Sequence, residues 1–147
     1  MKYSILVFLL LFTLNNNSTA AEQIPFKKKM NLECIININN NPKVYQYQLD
    51  GKAVWFMGSK MELGVTKIES FPDGTPQNEM LITRENNIVK YSLRTLKTGV
   101  ELMIEQIKSI EILIDISDLK AEMIVNDNQK FLGYCLKIKT ISHQHIV

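Results

Sequence analysis

From Met30 onward, apolar and polar residues alternate with a period of two, and the turn-forming residues fall between the alternating runs. This is the pattern of antiparallel strands whose side chains point by turns to opposite faces. Leu32, Cys34, Ile36 and Ile38 share one face of a first strand, and Asn39-Asn40-Asn41-Pro42 ends it. Tyr45, Tyr47 and Leu49, then Asp50-Gly51, then Ala53, Trp55 and Met57 read as a hairpin with a two-residue type I′ loop. Val54 and Phe56, on the opposite face of its second arm, are apolar as well. A further strand over Met61 to Ile68 leads into Pro72-Asp73-Gly74-Thr75-Pro76, a stiff loop expected to separate two halves of one sheet. Met80 to Thr83, the turn Asn86-Asn87, and Val89, Tyr91 and Leu93 form the next pair of arms.

Val100 to Ser117 fits both periods on first inspection, because Val100, Met103, Ile107, Ile110 and Ile114 also share a helical face. The even positions are mostly apolar and the odd ones mostly polar throughout, and isoleucine favours a pleated surface. One long bent strand, or two collinear ones, is expected; a short helix over Glu101 to Lys108 is the rival. Leu119, Ala121, Met123 and Val125 then alternate with polar residues, and Asn126-Asp127-Asn128 turns the chain into a last strand within Phe131 to Ile141. There Leu132, Tyr134, Leu136 and Ile138 form the apolar face. The expected fold is all-β: an antiparallel meander of eight or nine strands curled into a small barrel or sandwich, with first and last strands brought together. A single β domain should span 30–142, followed by a tail at 143–147.

The N-terminus departs from this pattern. Lys2, the apolar run Ile5 to Leu14, and the small residues Ser18-Thr19-Ala20-Ala21 have the layout of a secretory signal peptide over 1–20. About ten apolar residues are too few for a bilayer-spanning helix, and 21–29, with Lys27-Lys28-Lys29, reads as a linker. Export to the periplasm or beyond follows as an expectation. It changes the meaning of the only two cysteines, Cys34 and Cys135, which in an oxidising compartment are expected to form one disulfide. The alternation leaves a conflict: Cys34 lies on the apolar face of its strand, whereas Cys135 lies on the polar face of the last one with Lys137 and Lys139. Either a bulge at Gly133 or an inward Ile35 would reconcile them.

The formal net charge is +2, and +1 once Lys2 is removed. A near-neutral surface provides no long-range steering to nucleic acid, and the leaderless chain is expected to stay off membranes. His143 and His145, both near the C-terminal end, lack the third ligand and rigid surroundings of a metal site. Glu101, Glu105, Glu111 and Asp115 fill a solvated strand face. No nucleophile elbow, phosphate loop, zinc-protease helix or dinucleotide fingerprint is present. No cofactor is implied. The aromatic hairpin residues Tyr45, Tyr47, Trp55 and Phe56 are the candidate binding residues, as partner anchors if exposed and as core if buried. The sequence thus leads to a non-catalytic, exported protein-binding domain of inhibitor or immunity type. A β-barrel carrier of a small apolar ligand comes second, and an enzyme third.

Overall fold

The structure is a computed structural model and describes residues 22–96 and 108–141. The leader, most of the rival-helix segment, Glu101 and Glu105, and the tail with its two histidines lie outside the described residues. Ten strands are seen: β1 (Phe26–Ile38), β2 (Asn41–Gly51), β3 (Ala53–Phe56), β4 (Ser59–Glu62), β5 (Lys67–Ser70), β6 (Pro76–Glu85), β7 (Ile88–Thr95), β8 (Ser109–Asp115), β9 (Lys120–Val125) and β10 (Gln129–Ile138). All pair antiparallel in one sheet of order β4-β3-β2-β1-β10-β9-β8-β7-β6-β5. Among the described residues the all-β expectation holds, with ten strands rather than eight or nine.

The first and last strands pair, as closure requires, so the ladder breaks between β4 and β5 instead of at the chain ends. Both edge strands are only four residues long, which limits the unpaired backbone they present. The seam is bridged by a few bonds. Gly64 N–H donates to Ile82 O at 2.7 Å, and Lys67 Nζ donates to Ser59 Oγ at 2.7 Å. Arg84 holds the segment before β1 in place: its N–H donates to Gln23 Oε1 at 2.6 Å and its Nη1 to Pro25 O at 2.9 Å. The guanidinium lies 4.5 Å from the Phe26 ring centre. The result is a nearly closed barrel.

Several local expectations shift. The stretch read as a linker ends at Pro25, and Lys27–Lys29 already belong to β1. Asn39 and Asn40 both take positive φ and form the tight loop between β1 and β2. Pro42 therefore sits inside β2, paired with Asn37 beyond the reach of the short β3, where a missing N–H breaks no second ladder. The Pro72-to-Pro76 segment closes a β5–β6 hairpin, with Thr75 N–H donating to Asp73 Oδ1 at 2.9 Å. The two halves of the sheet divide earlier, between β4 and β5, within the stretch read as one strand.

In the aromatic hairpin Asp50 pairs with Ala53, so the two loop residues are Gly51 and Lys52, of which Gly51 alone has positive φ. An even-length loop pairs odd residues with even ones. Leu49 therefore pairs with Val54 and Tyr47 with Phe56, side by side on the interior face. Ala53, Trp55 and Met57 are turned outward, opposite to the expected facing.

Leu32, Ile36, Tyr47, Leu49, Val54, Ile82, Val89, Ile112 and Ile114 fill the centre with at most 1% exposure each. At roughly 25 cal/mol per Å² of apolar area removed from water, this column of side chains is the main driving force for closing the sheet.

Candidate functional site

The conflict over the cysteines is resolved by β10 and not by a bulge. Its register with β1 runs unbroken from Ile36–Gly133 to Asn31–Ile138, and Cys34 stands directly opposite Cys135. The disulfide joins them, 101 residues apart in sequence. Both cysteines are buried inside the barrel, so the sequence reading of β10 had its two faces exchanged. The bond and the narrow barrel wall decide the facing. A Cβ on Gly133 would run into the Ile35 carbonyl oxygen and stand 2.9 Å from Ile36 Cα, so the inward position beside Cys135 has room only for glycine. Cys135 N–H also donates to Leu119 O at 2.7 Å, continuing the ladder to β9.

The apolar alternation of β10 is thereby presented to solvent. Leu132 is 70% exposed, Tyr134 52% and Leu136 46%. Their neighbours extend the patch. Tyr134 pairs with Ile35, and Ile35 pairs with the exposed Val44, making an apolar row across three adjacent strands. With strands about 4.8 Å apart and residues about 3.3 Å apart, the patch covers roughly 10 by 13 Å between Cα atoms. Its rim is charged and polar. Leu136 adjoins Glu33, which accepts from Gln46 Nε2 at 3.5 Å, and Leu132 adjoins Glu122, which pairs with Lys130 at 3.1 Å. An apolar centre within a polar rim is the usual anatomy of a protein-docking surface.

The four aromatic residues named from sequence are not brought to one surface. Tyr47 is fully buried, and its ring lies 4.8 Å from that of Phe56, which in turn lies 4.2 Å from Tyr91. Tyr45 stacks on Phe56 at 6.2 Å. Tyr47 is a core ring, and the half-buried Tyr45 and Phe56 pack against the core. Burial raises the Tyr47 phenol well above its ordinary range, with the neighbouring Tyr91 and Tyr45 adding to the effect, and raises Tyr45 as well. Tyr91 is pushed up to about 12 by burial and by the Glu69 carboxylate. Among the described residues, the Tyr47 hydroxyl and Asn31 Oδ1 are buried without a hydrogen-bond partner. Trp55 points outward under Lys60, whose Nζ is 5.4 Å from the ring centre.

The described acids do not converge. Glu111 pairs with Lys90 at 3.4 Å. Asp115 accepts from the Ser117 hydroxyl and N–H, which lower its carboxyl below the usual range. Among the described residues no group of three or more metal-ligating side chains occurs. The patch on β10, β1 and β2 was missed in the sequence because the expected Cys34–Cys135 bond left the facing open, and only the unbroken register between β1 and β10 fixes which face of β10 is inside. The polar companions Lys137 and Lys139 made the cysteine face look solvated. The chain matches no protein-family model, no curated protein and no solved structure.

Proposed function

We propose that the chain is an exported, non-catalytic binding domain that docks another protein on the outward face of β2, β1 and β10, as an inhibitor or immunity factor does. The observation that carries this reading is the row Val44, Ile35 and Tyr134 flanked by Leu132 and Leu136. Apolar side chains of this size facing water in the middle of a sheet are stabilised only when something covers them. Tyrosine and leucine in a polar rim supply the desolvated anchor that such interfaces use. The carrier reading is second. Tyr47, Phe56 and Tyr91 occupy the interior beside the hairpin, where an apolar ligand would have to lie. Secretion or a periplasmic location belongs to the same proposal, supported by the leader-like N-terminus and by a disulfide consistent with an oxidising compartment.

The test uses the disulfide-bonded chain as bait in periplasmic and secreted extracts of its own source. Three baits are compared: the natural chain, the triple variant L132S/Y134S/L136S, and Ile68→Ser, which changes an exposed apolar residue on the distant β5. A protein retained by the first and third baits and lost by the triple variant supports the reading. Equal retention by all three refutes it. Sedimentation of the purified chain shows whether a second copy is the partner instead.

A further inference from the structure

A second feature, independent of the apolar patch, lies where the beginning of β1 meets the end of β10. Leu32 pairs with Lys137 and Asn31 with Ile138, so this register brings the lysines at the start of the domain beside those near its end. Lys28, Lys29, Lys137 and Lys139 line one open groove of about 610 Å³, and none of the residues lining it is acidic. Among the described residues none of these four lysines pairs with a carboxylate. Asn31 Nδ2 donates to Lys139 O at 3.1 Å and fixes the chain just past β10 against β1, which keeps Lys139 at the groove. Met30 and Ile138, both half-buried, supply apolar wall to the same groove.

A net charge of only +2 spread over 147 residues makes this concentration local. Four like charges around one concavity repel each other and attract a polyvalent or strongly charged anion, more so near a low-dielectric wall. Lysine ammonium groups are compact, strongly hydrated point charges with three donors each, suited to phosphate oxygens approached from several directions. A duplex or single strand of nucleic acid needs a longer basic track than this groove and bases stacked on aromatics, and no aromatic lines it. The apolar wall instead suits a ligand with a short hydrocarbon portion next to its charge.

We propose that this groove binds a phosphorylated amphiphile, with its phosphate among Lys28, Lys29, Lys137 and Lys139 and its apolar part against Met30 and Ile138. The same chemistry is offered by the head group of an anionic lipid and by a soluble alkyl phosphate, and the experiment separates these sources. The full disulfide-bonded chain is titrated with hexyl phosphate, and with hexanol as the uncharged match, by calorimetry. It is also co-sedimented with vesicles of phosphatidylcholine alone and of phosphatidylcholine mixed with phosphatidylglycerol. Each of K28E/K29E and K137E/K139E is expected to weaken binding about tenfold or more, and K43E/K108E, the same charge change at the opposite end of the barrel, by less than about twofold. The quadruple lysine-to-glutamine variant, which adds no negative charge, is expected to abolish binding while keeping the natural denaturation midpoint.

Binding to mixed vesicles alone identifies the lipid source, and binding to hexyl phosphate alone identifies a soluble ligand. The proposal is overturned if neither binds, if hexanol or pure phosphatidylcholine binds equally well, or if the two groove pairs and the control pair lose affinity alike. L132S/Y134S/L136S leaves this binding unchanged, so failure here and failure of the docking patch are separate results.

Discussion

Leu132 and Leu32 are the same residue type on neighbouring strands, and the structure assigns them opposite surroundings: 70% exposed on β10 and 0% on β1. Fully burying a leucine side chain stabilises by about 1.5–3 kcal/mol relative to leaving it in water. Leu132 retains less than a third of that burial, so Leu132→Ala should cost about 0.5 kcal/mol, and less if the unfolded chain is compact. Leu32→Ala removes the same atoms from the centre of the barrel, where neighbours relax only partly around the void, and should cost about 2–5 kcal/mol. Urea denaturation under non-oxidising, non-reducing conditions that preserve the disulfide measures both, through the shift in midpoint at a common slope. A Leu132→Ala cost equal to that of Leu32→Ala, or above about 2 kcal/mol, would place Leu132 inside. It would refute the assigned facing of β10 and with it the docking patch.

Further outcomes follow from the same packing. Converting Cys34 and Cys135 together to alanine should lower stability by about 4.7 kcal/mol, the chain-entropy value for a loop of about 100 residues, read from unfolding curves of the two proteins side by side; an unchanged midpoint would contradict it. Gly133→Ala should destabilise by at least about 2 kcal/mol, because the backbone of β1 must move to admit the methyl group. The same substitution at Gly74, a loop glycine with open space around it but φ of +83°, should cost less, as differential scanning calorimetry of both variants would show. The buried tyrosines make the fold alkali-sensitive. Their phenols titrate higher in the folded chain than the unfolded value near 10, so the stability they contribute is complete below about pH 10 and is lost as pH rises toward 12 for Tyr91. Within that window the loss from Tyr91 stays below about 1.4 kcal/mol per pH unit. Denaturation midpoints measured from pH 8 upward should fall on this limb, and Tyr91→Phe should flatten it; a slope unchanged by that substitution would exclude Tyr91 as its source.

Much of the fold is legible in the residues. The alternation at Leu32 to Ile36, at Val89 and Tyr91, at Ile112 and Ile114, and at Ala121 and Met123 marks strands whose inward faces are the ones buried. Each of these strands has one plainly apolar face, and the two-residue period leaves a single way to bury it. Legibility fails where both faces are apolar or where the inward face carries small and charged residues. The arm Ala53 to Met57 is of the first kind, and there its pairing with β2, Leu49 with Val54 and Tyr47 with Phe56, put Val54 and Phe56 in the interior. β10 is of the second kind, with Gly133, Cys135 and Lys137 alternating against Leu132, Tyr134 and Leu136. Hydrophobicity alone points the wrong way on that strand, because the outward residues are the larger and greasier ones. The proposed docking surface is the consequence of that mismatch.

Local chemistry was therefore enough to determine an all-β chain, the turn at Asn86-Asn87, the joining of Cys34 to Cys135, and a core built from alternate residues. All of these depend on neighbours within a few positions or on a pairing with no alternative partner. Only the tertiary structure decided that the seam falls between β4 and β5 and that β10 shows leucine and tyrosine to water. It alone set two lysine pairs, over a hundred residues apart, beside one groove. Register between distant strands is a property of the closed sheet, and no stretch of chain carries it by itself.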